Sequence, residues 1–332
     1  MSFGICATDR SQRPEGAGEQ VLDHYVVDIR TYNQLQGASQ ELSVDGLGGI
    51  PGDFEGDKFL LCLPATVPGY DTKRKAWKTL FINYVSLEDW FGDFWSQLSL
   101  PETRVKLLKR VISHHTVSRR SIDLKQDEEG SGPHHQLFIL LHGPPGMGKS
   151  STAECIARHA RRALFRLTIG DMGTKPETLA QYLDTELRLA KRWNCVVLMD
   201  EVDYFVADLP IDNIKRNALV SAFLQALDNY KGILICRCSL VDSLDPTIKS
   251  RFQLTLRYAS WSTEERLKVW YKMADNFYEI PLEVKCYFPK LAKEALDGHE
   301  IRNILFTASE IALQEKRSLS YSDIETVMTE IA

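Results

Sequence analysis

Residues 143–150, Gly143-Pro144-Pro145-Gly146-Met147-Gly148-Lys149-Ser150, space glycines, a lysine and a hydroxyl as G-x-x-x-x-G-K-[ST], a pattern suited to holding phosphate. The glycines let the backbone curl until its N–H groups point inward at phosphate oxygens. Pro144 and Pro145 cannot donate and stiffen the approach, while residues 146–151, ending at Ser151, supply donors where a helix opens. Lys149 is placed to reach the β- and γ-phosphates, and Ser150 to ligate Mg²⁺. Further along, Cys195–Met199 reads as a buried apolar strand ending in two carboxylates. Asp200 would support the metal shell, and Glu201 would polarise an attacking water as general base. This pairing points to ATP hydrolysis with Mg²⁺. The guanine-reading NKxD of a GTPase is absent, and no group marks the acceptor site of a kinase.

Positioning these groups requires strands that end at the phosphate loop and at the carboxylates. From residue 136 apolar strand-length runs alternate with helical patterns, the signature of a parallel sheet with crossover helices. Strands are predicted at 137–141, 163–168, 195–199, 233–236 and 252–257. The helix predicted over 149–162 carries Ala153, Ile156, Ala157 and Ala160 on one face. After about residue 259 four helices are expected, at roughly 263–277, 283–296, 298–316 and 321–331. The predicted class is α/β: a five-stranded parallel sheet with flanking helices, a C-terminal four-helix lid, and a small loop-rich α+β region in front.

The expected division is a flexible or partly ordered segment 1–57, an N-terminal region with linker 58–135, a core 136–258 and a lid 259–332. Residues 1–20 read as flexible, 21–30 as containing a weak strand, and 59–63 as a short buried strand. Trp77, Phe81, Trp90, Phe91, Phe94 and Trp95 form an aromatic set able to dock this region on the core. Residues 101–121 read as a basic amphipathic helix.

The 332 residues are 44% hydrophobic and 26% charged, which is the balance of a soluble globular protein. A net charge of −5 gives no overall attraction to nucleic acid or anionic membrane. The seven cysteines form no CxxC pair, so zinc is not expected. No apolar run reaches the roughly 18–20 residues of a membrane span. With no signal core or presequence at the N-terminus, the chain reads as intracellular, in cytoplasm or nucleus.

Together, LLHGPPGMGKSSTAE (140–154), RWNCVVLMDEVDYF (192–205), RNALVSAFLQAL (216–227), the GILI…DPTIKSRF segment (232–252) and GHEIRN (298–303) resemble AAA+ ATPases. Adding LLCLPATVPGY…W (61–77) and GDMGTKPETL (170–179), the chain is similar to fungal-type AAA ATPases that carry an uncharacterised N-terminal domain. The resemblance covers about residues 57–330. It implies a P-loop core with bound ATP and Mg²⁺, and self-association into a ring, a hexamer by family habit, acting on a protein client of unknown identity. It assigns Ser239 to the strand-end position that orients water, where the family usually has Asn. It assigns Arg251 to the arginine finger offered to a neighbouring subunit, the alternative being a salt-bridged arginine at the start of a strand. Arg302 falls at the lid position that contacts phosphate, within G-H-E-I-R-N rather than the family's G-R-E-I-R-N. The aromatic of protein-threading loops has no counterpart in residues 170–178, so threading is not implied.

Two other classes stay open. One is a nucleotide-gated binding module with negligible hydrolysis, for which Ser239 is the sign. The other is a clamp-loader-like nucleic-acid machine, suggested by Ser250-Arg251-Phe252 and by the basic stretch Arg104–Arg120.

Overall fold

The computed structural model describes residues 5–9, 24–35, 65–87, 90, 92, 94–123, 136–168, 170, 175–206, 214–239, 246–275 and 280–331. Two five-stranded sheets organise it. The first is antiparallel and built from β1 (Ile5–Asp9), β2 (His24–Val27), β3 (Thr66–Asp71), β4 (Ala76–Phe81) and β5 (Val85–Leu87), in the order β4-β3-β2-β1-β5. The second comprises β6 (Leu137–His142), β7 (Leu164–Thr168), β8 (Val196–Asp200), β9 (Ile233–Cys238) and β10 (Leu254–Arg257). Its order is β10-β6-β9-β8-β7 and every pairing is parallel.

The parallel sheet is buried on both faces because its strands carry apolar residues at nearly every position. Alternate residues serve opposite faces. Ile139, Leu141, Val196, Leu198, Ile233 and Ile235 pack towards the helix Lys149–Ala160. Phe138, Leu140, Val197, Met199, Leu234 and Cys236 pack with Leu179, Leu183 and Leu187 of the helix Pro176–Arg192 and Phe223 of the helix Ile214–Asn229. Asp200 and Arg237 continue the first series, so both side chains point to the side occupied by the helix that begins at Lys149. The insertion of β9 between β6 and β8 places Arg237 between the phosphate loop and the paired carboxylates.

The C-terminal region is helical, with its own core around Trp270, Phe288, Ile301 and Leu305. Its helices are Thr263–Asp275, Leu282–Lys285, Phe288–Leu291, Gly298–Gln314 and Tyr321–Ile331. The single helix expected over 283–296 is thus two short pieces. Pro289, near the start of the second piece, has no N–H to donate back to the first, and the ladder breaks there.

In front of the core, the region read as loop-rich contains the antiparallel sheet and the helix Ile29–Leu35. Residues 5–9, expected to be flexible, form β1, paired on both sides with β2 and β5. These strands are three to six residues long, too short to show periodicity. Pro68 in β3 disguised that strand further. It is tolerated because β2 pairs only from Gly69 onward, so that side of Pro68 needs no ladder donor. The strand expected at 59–63 lies outside the described residues. Among the described residues no helix is long and apolar enough to cross a membrane.

An aromatic seam joins the antiparallel sheet to the core. Tyr70 stacks on Phe165 at 6.2 Å and lies 4.9 Å from Trp193, and Trp77 meets Trp193 edge-on at 6.1 Å. Of the aromatic set read from sequence, Trp77 joins this seam, whereas Phe94 and Trp95 pack elsewhere, on Arg158 and His159 of the first core helix. Phe81 is exposed. Asp28 anchors the seam: its buried carboxylate accepts from Thr31 N–H at 3.2 Å, Thr31 Oγ1 at 2.5 Å and Trp193 Nε1 at 2.9 Å. Burial works against its charge, but the hydrogen bonds from Thr31 and Trp193 and the nearby Arg192 outweigh it and lower its pKa. The stabilisation from Asp28 is therefore complete above the ordinary carboxylate range and is lost as pH falls through the depressed folded value. Asp28→Asn is expected to destabilise the chain by about 1–3 kcal/mol at neutral pH, the scale for disrupting a buried charged hydrogen-bond centre. Urea titrations should show that difference shrinking as pH falls below about 4.

Candidate functional site

At the C-terminal ends of β6, β8 and β9 the sheet opens into a cleft of about 690 Å³, closed on its far side by the C-terminal helices. The loop after β6 owes its shape to positive backbone angles: φ is +137° at Gly143, +72° at Gly146 and +83° at Gly148. A β-carbon at Gly143 would stand 2.2 Å from the Tyr258 carbonyl oxygen, so only glycine fits between β6 and the end of β10. The helix Lys149–Ala160 then starts inside the cleft with its N–H groups facing in. Lys149 Nζ folds back over the loop, donating to the Gly143 carbonyl at 2.5 Å and to the Pro144 carbonyl. Burial lowers its pKa, and the positive charge of Arg237 adds to the effect.

Residues 145–151, with Pro145, Gly146, Met147 and Ser151 among them, line the cleft, while Gly143 and Pro144 form the turn behind it. Glu201 and Ser239 line the opposite wall. Glu201 is exposed and holds φ at +59°, a left-handed conformation that turns the chain sharply at the end of β8 and carries its carboxylate into the cleft. Ser239 is tied to the same corner, its N–H donating to Asp203 Oδ1 at 2.7 Å. From the C-terminal helices come His299 and Arg302. That side closes tightly: Gly298 N–H donates to the Gly146 carbonyl at 3.1 Å, and Asp297 caps its helix against the loop. A β-carbon on Gly146 would meet Asp297 Cγ at 2.4 Å. The sequence pattern did not single out this loop-to-helix latch.

Arg251 stands apart from the cleft. It is exposed on the surface and ion-paired with Asp228, the geometry of the salt-bridged alternative within a single chain.

Asp200 is buried at the end of β8. Burial raises its pKa, opposed by the charges of Arg237 and Arg166. Its Oδ1 lies 2.8 Å from Arg237 Nε yet accepts no well-aligned hydrogen bond, so a buried carboxylate oxygen keeps acceptor capacity, and the same Arg237 reaches the Ser150 hydroxyl through Nη1. Such hard oxygens suit Mg²⁺, which takes one or two protein groups and fills the rest of its octahedron with water and substrate phosphate. Among the described residues no three His, Cys, Asp or Glu groups form a ready cage. The donor set thus fits a metal that arrives with a nucleotide.

Residues 139–259 match the family model for the ATPase family associated with various cellular activities, AAA. This chain carries an AAA-family ATPase domain. It is similar to a putative 26S proteasome regulatory subunit homolog of Methanocaldococcus jannaschii, 26% identical over 205 residues, 58% of this chain and 54% of that protein. It is similar also to a Lon protease of Leptospira interrogans, 26% identical over 176 residues, covering 45% of this chain and 19% of the relative. The mitochondrial Lon protease homolog of Mus musculus is 23% identical over 214 residues, 57% of this chain and 22% of that protein. The chain therefore spans about half the archaeal relative and about a fifth of each Lon protein. The matched AAA segment begins within β6 and ends just beyond β10, so it is the parallel sheet that the family match covers. The Arg237 guanidinium sits within this AAA domain, and no feature of the sequence motifs marked it.

Proposed function

We propose that the chain binds ATP with Mg²⁺ in this cleft and hydrolyses it, and that the AAA domain works as part of a self-associated assembly acting on a protein client. The observation that supports this best is the convergence of Lys149, Ser150, Asp200, Glu201 and Ser239 at the ends of three neighbouring strands, facing the N-terminus of a long helix. The loop N–H groups and Lys149 would take the β- and γ-phosphates. Ser150 and Asp200 would hold the metal, whose chemistry is to neutralise charge on the phosphate oxygens. Glu201 would accept a proton from water, oriented with help from Ser239. Arg302, carried by the lid, would report the phosphate to the C-terminal helices, so that hydrolysis changes the angle between sheet and lid.

Arg251 stands outside the lining of its own cleft, paired with Asp228. It would act on the phosphate of a neighbour after leaving Asp228, which makes turnover depend on assembly. Turnover per subunit is accordingly expected to rise with protein concentration, and Arg251→Ala to lower the plateau by about 10³-fold, the lower range for an arginine finger. Turnover that is flat with concentration and indifferent to Arg251→Ala would contradict the assembled motor.

A further inference from the structure

We propose that Arg237 is a resident cation of the metal position: its guanidinium clasps Ser150 and Asp200 before nucleotide arrives, serves as countercharge for metal-free nucleotide, and competes with the divalent ion. This rests on the reading of the cleft as a nucleotide site. The geometry that carries it is the two-pronged contact made by one side chain. Arg237 Nη1 donates to Ser150 Oγ at 2.5 Å, while Nε stands 2.8 Å from Asp200 Oδ1. These are the two groups suited to magnesium, and one planar guanidinium spans them.

The placement is built into the sheet. Arg237 follows Ile233 and Ile235 on the face of β9 that looks towards the helix Lys149–Ala160, whereas Cys236 and Cys238 turn to the other face. Its backbone is held on both sides: it is opposite Leu141 of β6, and its carbonyl accepts from Val202 N–H at 3.1 Å. The side chain is half-buried and lines the cleft beside Lys149. An arginine does not lose its proton in a protein, so this charge is permanent. A guanidinium and a divalent ion cannot both sit between the same hydroxyl and carboxylate. One must yield, and the displaced guanidinium lies within the cleft that receives polyphosphate.

Two cations at one wall, Lys149 and Arg237, repel each other, and both gain when an anion enters. Nucleotide binding is therefore less dependent on magnesium than the metal ligands alone imply, and the metal binds more weakly than it would to Ser150 and Asp200 without the arginine.

The test is direct binding, read by fluorescence of a labelled ATP analogue and by Mn²⁺ electron paramagnetic resonance, with no turnover required. Wild-type protein in EDTA should bind the analogue within about threefold of its affinity in Mg²⁺, a difference below one charge-assisted hydrogen bond. Arg237→Ala should weaken binding in EDTA by about tenfold and tighten Mn²⁺ in the nucleotide complex by a similar factor. Arg237→Lys keeps the charge without the fork, so it should retain part of the metal-free binding while tightening Mn²⁺. Loss of wild-type binding on chelation, with binding intact in Mg²⁺, overturns the inference and leaves the nucleotide site standing. An unchanged Mn²⁺ affinity in both variants does the same. Failure of the wild type to bind the analogue in either condition overturns the nucleotide site and the inference together.

Discussion

Glu201→Gln is expected to abolish turnover while leaving nucleotide in place. Glutamine keeps the size and hydrogen-bonding reach of the side chain but cannot accept a proton. Removal of a general base lowers rates by about 10²–10⁴-fold. Glu201 is exposed and sits in a left-handed turn that glutamine adopts equally well, so the melting temperature should barely move. Steady-state phosphate release, alongside binding of a labelled ATP analogue, separates the two effects. Loss of binding in this variant would mean that Glu201 shapes the cleft rather than acts in it.

Lys149→Ala should do the reverse, removing binding itself. The ammonium is held by two loop carbonyls, at Gly143 and Pro144, which a phosphate must outcompete. Charge-assisted contacts to two phosphates, each worth about 1.5–3 kcal/mol, set an expected loss of at least about 10²-fold in ATP affinity. The lysine is buried, and its alanine variant leaves those carbonyls to water, so the fold should persist. Equal affinity in calorimetric titrations of the two proteins would place the phosphates elsewhere.

The parts legible in sequence share one physical trait: local pattern and tertiary role coincide. β6, β8 and β9 are buried on both faces and so read as continuous apolar runs, and the loop at 143–150 carries its φ requirements in its glycines. Arg237 shows where this fails. In the sequence it is a lone charge interrupting an apolar strand between two cysteines. Its meaning appears only once β9 is seen to lie between β6 and β8 with odd-numbered residues facing Ser150. The Tyr70–Trp193–Asp28 seam was hidden for a different reason. Its members come from a short strand, a helix C-terminus and the residue that precedes a helix, and no spacing rule links them. Arg251 illustrates a third case, because the role proposed for it depends on a neighbouring subunit, while among the described residues of its own chain it pairs with Asp228.

The most direct test is a single-turnover experiment with wild-type protein at high concentration, in excess over ATP and with saturating Mg²⁺, with Glu201→Gln run beside it. Conversion of bound ATP to ADP and phosphate by the wild type, with intact ATP retained by Glu201→Gln, is the expected result. ATP recovered intact from both proteins, still bound, would contradict hydrolysis and leave a cleft that only holds its nucleotide.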